Sequence, residues 1–475
     1  MEEEGELVES GSFKIDRARA LEKLKSFQFA DPNSFILALA RAAVAAEAPE
    51  LRADRVENGI RLWFAGRPLT LEDLEDPFAG LFSEEDAKDE FKRQLALGIL
   101  GALRLEPRLV RVAAAGYSLM MDSPVNYAPR PAPEAKEGTL IEILFDAGLF
   151  SRMPDPLPLL REGTAMLKIP FFLDGARVPA LPESSPTPSV AFEENGIRGV
   201  LTAAPEPAGM LSLLGVGAHP HPLYFYRHGV RVGVDEHGFL ISMGVHLDSA
   251  SFSVNATHSG VLEDDARAAA IRTAEPRAAE LVEKTAALQI ERAAKDLRGF
   301  LSIYGLGSKK VPAWLRLLGR APLVGKTRKE DIARLQLEAR VCSWLRHTAR
   351  QILTDPLRDA AFPERLMLWN CPLFVSATGR PLSLMQLHRQ YRRIGCVPFT
   401  EPGALYPDAW VFRFEPFLHV VWKLDDDDGC LNALFKGKLK TWGAVAAAWD
   451  IVRIPLRWRF GLKDKDFYDR QAEEA

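Results

Sequence analysis

The stretch PNSFILALARAAVAAEA, from Pro32 to Ala48, places the strongest constraint on the fold because almost all of it is apolar. Asp31 is a suitable cap for the free N–H groups of a helix. Pro32 fits the first helical position, where its missing N–H costs nothing. The pattern therefore predicts a helix that ends near Glu47. A helix so rich in alanine and leucine is typical of one buried against a sheet, and we expect no side chain in it to take part in chemistry.

The segments around this helix predict the sheet that covers it. An amphipathic helix is expected within residues 13–29, and a longer helix is expected over residues 85–103. Residues 127–138 are rich in proline and are interpreted as a loop. Apolar alternation or short apolar runs predict three strands, over residues 59–66, 108–116 and 139–145.

This order of elements resembles the amino-terminal domain of the GHKL superfamily, the ATP-binding fold shared by HtpG-type chaperones, MutL, type II topoisomerase subunits and histidine kinases. The resemblance implies an α+β protein with three regions. Residues 13–152 are expected to form a Bergerat-type (GHKL-like) α/β sandwich. Residues 153–275 are expected to form a middle α/β domain like that of HtpG and MutL, and residues 276–475 a carboxy-terminal helical and then mixed α/β region.

In the superfamily, the second helix carries a glutamate that polarises the attacking water and, four residues later, an asparagine that holds Mg²⁺. An aspartate follows three residues after the asparagine. Carried onto this sequence, the three positions are Ala38, Ala42 and Ala45. A spacing of four would place the first two on one helix face, so the resemblance implies a face of methyl groups where the family has polar ligands.

The glycine motifs of the family are also altered. In D-x-G-x-G the aspartate accepts a hydrogen bond from the adenine amino group, and its place here is taken by Phe64. The first glycine of that motif is Gly66, whereas the second is replaced by Pro68. In the phosphate-cradling G-x-x-G-x-G motif only Gly98 remains, with Leu95 and Leu100 at the other two glycine positions.

Two later segments match the motifs of the superfamily more closely. Gly138 and Thr139 fit the Gly-Thr strand that ends the ATP domain in MutL-type proteins. In the middle region, Asn255 and Thr257 fit the chaperone segment that delivers an arginine to the γ-phosphate, but His258 stands where that arginine is expected. A neutral imidazole is a poor substitute for a permanent guanidinium charge.

The composition restricts the partners. With 60 basic and 64 acidic residues the net charge is −4, so there is no overall basic field for nucleic acid or for an anionic membrane. The first ten residues lack the pattern of a secretory signal, and no apolar stretch is long enough to cross a bilayer. We therefore expect a cytoplasmic protein with no membrane role.

Several further motifs do not match a functional site. Residues 319–327 differ from a phosphate-binding loop, and the acidic residues 425–429 are interpreted as a solvated loop. The basic stretches 307–331 and 388–395 are the candidates for an acidic or nucleic-acid partner, although ordinary mixed surface is favoured. His219, His221 and His228 lack a third ligand at a convincing spacing. A zinc site would need Cys371, Cys396 and Cys430 with His388 or His419, and no short ligand pair supports it.

The sequence thus predicts a pseudo-ATPase with chaperone-like architecture that acts as a protein-binding scaffold or regulator, with no cofactor and no metal. The alternative is a divergent HtpG-like chaperone that still binds Mg-ATP and hydrolyses it with relocated ligands. DNA contact of the MutL kind is a third possibility. The oligomeric state and the identity of the protein partner do not follow from the sequence.

Overall fold

A computed structural model describes residues 16–27, 29–82, 89–133, 137–150, 155–203, 222–255, 260–297, 300, 329–354, 366–376, 380–400, 419–422, 428–435 and 438–441. Its helices are α1 (Arg17–Phe27), α2 (Phe35–Ala45), α3 (Leu71–Glu75), α4 (Glu90–Leu103), α5 (Ala147–Phe150), α6 (Pro156–Gly163), α7 (Asp265–Ala274), α8 (Arg277–Lys295), α9 (Lys329–Thr354), α10 (Leu366–Asn370), α11 (Leu384–Ile394) and α12 (Asp428–Phe435).

Two sheets hold most of the strands. The first comprises β1 (Leu51–Val56), β2 (Gly59–Phe64), β3 (Leu109–Ala114), β4 (Tyr117–Ser123), β5 (Asn126–Pro131), β6 (Thr139–Leu144), β7 (Phe171–Leu173) and β8 (Ala176–Val178). The second comprises β9 (Ser189–Glu194), β10 (Ile197–Thr202), β11 (Pro222–Arg227), β12 (Val230–Glu236) and β13 (Gly244–Asp248). The remaining strands are β14 (Pro372–Val375), β15 (Pro381–Ser383), β16 (Val397–Thr400), β17 (Val421–Trp422) and β18 (Leu439–Thr441).

The first sheet has eight strands in the order β5-β4-β3-β6-β2-β1-β7-β8. All neighbours are antiparallel except β1 and β7, which are parallel. The sheet and the helices around it share one apolar core, to which α2 contributes nearly all its side chains and α4 contributes its apolar ones. The described part of the chain is therefore a mixed α/β fold, consistent with the expected GHKL-like sandwich.

Three charged side chains lie beside this core on neighbouring strands of the same sheet. Arg61 donates through Nε to Glu142 Oε1 at 2.9 Å, and Arg111 donates to Glu142 Oε2 at 3.1 Å. The three residues are direct cross-strand neighbours on β2, β6 and β3. Opposite charges at such positions stabilise the pairing of the strands.

The second sheet has the order β12-β11-β13-β10-β9, in which only β11 and β13 are parallel. Its core continues through α7 and α8 to the small strands and helices after residue 366. We call the part of the chain with the eight-stranded sheet, residues 16–178, the first unit, and residues 189–441 the second unit. The predicted domain boundaries at residues 152 and 275 stay predictions. The first core includes Phe171, which lies beyond the first boundary, and the second core contains residues on both sides of residue 275.

The local predictions are largely confirmed. Asp31 accepts a hydrogen bond from the Asn33 N–H, and a single 3₁₀ turn at Pro32–Ser34 precedes α2. The helices and strands expected within residues 13–116 and 139–145 are present as α1, α2, β2, α4, β3 and β6.

The loop expected over residues 127–138 is wrong in its first half, which forms β5 at the edge of the sheet. Ala132 N–H donates to Gly116 O across to β4. Because N–H groups alternate in direction along a strand, the nitrogens of Pro129 and Pro131 point away from β4. Proline is tolerated at an edge in this orientation.

Candidate nucleotide site and contact between the units

The α2 helix, on which the family resemblance expects ATP ligands, is enclosed by the first unit. Ala38 and Ala42 have no exposed surface, and Ala45, near the end of α2, is partly buried. Neighbouring Phe35, Ile36 and Leu39 are equally enclosed. Methyl groups in such surroundings neither coordinate a metal ion nor activate water, so this face of α2 contributes packing only.

Phe64 ends β2 with none of its surface exposed. Its ring meets the edge of Phe91 from α4, with the ring centroids 6.2 Å apart. Thr139, which is also buried, lies directly opposite Phe64 in the pairing of β2 with β6. The structure therefore brings together two of the predicted site residues, Phe64 and Thr139.

The glycines of the expected site serve close packing of the chain. A side chain at Gly66 would collide with Ala46 O at the end of α2, where Arg67 N–H donates to that same oxygen at 2.7 Å. At Gly98 in α4, a Cβ atom would lie 2.7 Å from Leu39 Cγ and 3.1 Å from Leu39 N. Gly98 thus allows α4 to approach α2, and Leu39 fills the gap that the missing side chain leaves.

The other residues predicted for functional sites are not shown to lie beside Phe64, α2 and α4. Pro68 is exposed on the segment after β2. His258 lies outside the described residues, as do His219, His221 and residues 319–327. The Sγ atom of buried Cys371 lies 3.8 Å from Ala286 O, and among the described residues no three His, Cys, Asp or Glu side chains are grouped to hold a metal ion.

Arg41 is the one charged residue in the otherwise apolar helix α2, and its side chain is only 4% exposed. Its Nε donates to Gln94 Oε1 on α4 at 2.9 Å, and its Nη1 donates to Arg231 O on β12 at 3.1 Å. Burial lowers the pKa of Arg41 to about 10, so the guanidinium remains charged at neutral pH. A single charge in an apolar helix is the sequence signal for such a group, because buried charges require partners.

The Arg41 contacts extend into a polar network between the units. Gln94 Nε2 donates to Glu90 Oε1 at 3.1 Å, and Arg227 Nη1 of β11 lies 3.9 Å from the same oxygen. Burial raises the pKa of Glu90, but hydrogen bonding and charge from Arg93, together with the charge of Arg227, lower it below its usual value overall. Glu90 is therefore an ionised carboxylate among three arginines.

The turn between β11 and β12 is the part of the second unit that enters this contact. Gly229 has a φ of +80°, and a Cβ atom there would lie 2.5 Å from Met166 O and 2.7 Å from Leu167 Cα. Val230, the next residue, is fully buried in the core of the first unit. The Gly229 N–H donates to Asp248 Oδ1 at 2.9 Å, and Asp248 also pairs with Arg198, which itself donates to Met166 O.

A tyrosine–histidine pair lies behind the turn. Tyr226 Oη and His246 Nδ1 are 3.0 Å apart, and the His246 ring stacks on Tyr224 with centroids 4.7 Å apart. Burial and then the charge of Arg231 lower the pKa of His246 to about 3, and burial raises the pKa of Tyr226. Both groups are neutral at ordinary pH, so the pair supports the hairpin without adding charge.

No protein-family model matches this sequence, and no curated protein matches it. Among solved structures, the chain is similar to the ATPase region of topoisomerase II from Saccharomyces cerevisiae, with 11% sequence identity and a TM-score of 0.33. The similarity covers 48% of this chain and 75% of that chain. No helix in the described part of this chain is long and apolar enough to cross a membrane.

Proposed function

We propose that the chain is a pseudo-ATPase: a GHKL-like protein that keeps a chaperone-like architecture for binding other proteins in the cytoplasm and does not use ATP. The observation that carries the proposal is that the Phe64 ring is enclosed and packs on Phe91; the family resemblance assigns this position to the adenine-binding aspartate. A buried phenyl ring leaves neither a hydrogen-bond acceptor nor free space at that position.

The packing of α2 on α4 supports the same proposal. Leu39 lies against Gly98, so the helices are in contact where the family resemblance expects a phosphate cradle. Ala38 and Ala42 are enclosed in the same core. A nucleotide entering here must separate two packed helices, which costs the apolar burial that holds the first unit together.

Hydrolysis of ATP tests the proposal against the divergent chaperone. The purified chain, incubated with Mg-ATP, is expected to release phosphate at the rate of a matched Phe64→Leu variant. A rate that is also unchanged when Arg41 or Glu90 is replaced identifies contaminating activity. Turnover that depends on Mg²⁺, belongs to the wild-type chain and is lost when Arg41 or Glu90 is replaced would favour a chaperone with relocated ligands.

A further inference from the structure

The described strands of the two large sheets end in four edge strands, β5 and β8 in the first sheet and β9 and β12 in the second. An edge strand presents unpaired N–H and C=O groups to which another chain can add a strand, and proline, bulges or short length protect such edges. Pro129 and Pro131 protect β5, and β8 has only three residues. β12 has a bulge at Val232, on either side of which its pairing with β11 shifts.

β9 has none of these protections. It pairs with β10 over six residues, from Ser189 opposite Thr202 to Glu194 opposite Ile197, without a shift in register. The ladder continues one residue further, where the N–H of residue 203 donates to the C=O of residue 188 at 2.9 Å. Because bonded and non-bonded pairs alternate along an antiparallel ladder, the even-numbered residues of β9 bond to β10.

The odd-numbered residues Ser189, Ala191 and Glu193 therefore direct their N–H and C=O groups to the free edge. Lys284 Nζ on α8 donates to Ser189 O at 2.6 Å, in agreement with this direction. Among the described residues no hydrogen bond reaches the backbone of Ala191 or Glu193, and both residues are exposed. These two residues offer four backbone groups to an incoming strand.

The core holds β9 in place for such an addition. The side chains of Val190 and Phe192 are buried in the core of the second unit. Arg277, at the start of α8, lies over the Phe192 ring with its Cζ atom 6.0 Å from the centroid. Asn195 and Gly196, both with positive φ, close the hairpin to β10. A strand that is already fixed loses little further freedom when another strand pairs with it.

The charges of β9 indicate which kind of strand pairs best. Its only charged residues are Glu193 and Glu194. Glu193 Oε1 lies 3.5 Å from Lys168 Nζ, and both side chains are mostly exposed, so this ion pair contributes little and can be exchanged for another. Opposite charges on cross-strand neighbours stabilise pairing, whereas like charges oppose it. A strand with Lys or Arg opposite Glu193 is therefore favoured.

We propose that the free edge of β9 binds an extended, proline-free segment of a partner protein as an added strand, with Lys or Arg opposite Glu193. This inference rests on the proposed protein-binding function and names the kind of segment that is bound. A second copy of the chain fits less well, because pairing of two β9 strands gathers Glu193 and Glu194 of both copies at one seam.

A pair of N-methylated peptides tests the inference with the full chain. The parent peptide has about eight residues, alternates threonine with valine and has one central lysine. One derivative is N-methylated at the lysine and every second residue from it, and the other at the intervening residues. Since N–H groups alternate in direction along a strand, only one of the two sets can face β9. In thermophoresis with labelled protein, we expect one derivative to bind as the parent does and the other to bind at least about tenfold more weakly.

Two substitutions locate the binding on β9. Ala191→Pro removes an N–H from the free edge but none from the ladder with β10, and is expected to weaken binding of the parent peptide by about tenfold or more. Glu193→Lys is expected to prefer a peptide in which glutamate replaces the lysine. The control Glu57→Lys, at an exposed glutamate of the first unit, is expected to keep the wild-type preference. Circular dichroism and melting establish that the variants fold.

Equal binding of the two methylated peptides, or no binding of the parent at about 1 mM, would overturn the inference. The same holds if Glu193→Lys behaves as Glu57→Lys does. A dimer of the full chain that dissociates on Ala191→Pro, seen by sedimentation, would overturn it in favour of a second copy. The peptides are measured without nucleotide. ATP turnover with peptide binding intact would refute only the pseudo-ATPase, and loss of peptide binding without turnover would refute only the added strand.

Discussion

At the scale of single residues, Phe64 is the side chain whose burial matters most for a closed nucleotide site. The substitution Phe64→Asp removes a buried ring and places an unpaired carboxylate beside Phe91. We expect a loss of at least about 3–5 kcal/mol in the free energy of unfolding, measured with chemical denaturant. The control Phe64→Leu keeps the position apolar and is expected to cost less. Equal stability of Phe64→Asp and the wild type would place Phe64 at the surface.

Arg41 and Gln94 provide a second residue-scale prediction. Arg41→Met leaves Gln94 Oε1 and Arg231 O without their donor, and each buried unpaired acceptor costs about 1–3 kcal/mol. In a double-mutant cycle, adding Gln94→Met to Arg41→Met is expected to cost less than the single effects together, with a coupling of about 0.5–3 kcal/mol. Strict additivity in denaturant unfolding would mean that the two side chains do not interact.

The residues of the site were unevenly accessible to sequence reasoning. At the motif positions the sequence has the apolar residues Phe64, Ala38 and Ala42, which favours a packing role. All three are fully buried, in agreement with that role. Arg41 was missed because the family motif directs attention to the alanines on either side of it. Its partners lie 53 and 190 positions away in the chain, and no local pattern connects them.

At the scale of elements, the packing of α2 on α4 depends on Gly98 and Leu39. Gly98→Ala is expected to destabilise the chain because the new methyl group collides with the Leu39 side chain. Leu39→Ala alone is expected to cost about 2–5 kcal/mol through the cavity that it creates. The double variant is expected to be more stable than the sum of the two losses predicts, since the added methyl group enters that cavity.

Gly148→Ala is the control for this pair because Gly148 is helical and no atom of the described residues lies within 4 Å of a Cβ atom added there. Alanine favours a helix by about 1 kcal/mol over glycine, so this variant should be neutral or slightly stabilised. Thermal and denaturant unfolding measure all four proteins. If Gly98→Ala behaved as Gly148→Ala does, the two helices would not be in close contact at Gly98.

The elements themselves were mostly predictable, and β5 shows why some were not. Periodicity and capping identified α2, α4 and the strands with clear apolar alternation. The sequence of β5 contains two prolines, which locally favour a loop. It becomes a strand because β4 supplies hydrogen bonds to its other residues, and that tertiary contact has no local signal.

At the scale of the whole molecule, the turn between β11 and β12 joins the two units. Gly229→Ala forces a positive φ on alanine and also collides with Met166 and Leu167. Gly196 has nearly the same φ of +76° but no atom within 4 Å of the added methyl group. We therefore expect Gly229→Ala to cost about 1–3 kcal/mol more than Gly196→Ala in chemical unfolding. Equal losses would contradict a close contact between the units at this turn.

Sequence alone could not distinguish these two turns. His228-Gly229 and Asn195-Gly196 both place two residues with positive φ between antiparallel strands. Among the described residues, an added Cβ atom at Gly229 would collide with Met166 and Leu167 of the first unit, whereas one at Gly196 would lie in open space. The three predicted regions stay a prediction, and the contact between the two units depends on tertiary partners such as Arg41 and Glu90, which have no local sequence signal.

The most direct test of the central claim, that the nucleotide site is closed, is calorimetric titration of the full chain with Mg-ATP, accompanied by thermal melting. A ligand present at a hundred times its dissociation constant stabilises a protein by about 2.7 kcal/mol, which corresponds to several degrees in Tm. We predict no binding heat and a change in Tm below about 1 °C at millimolar Mg-ATP. A saturable, Mg²⁺-dependent heat together with a rise in Tm of several degrees would contradict the closed site and establish the divergent ATP-binding chaperone in its place.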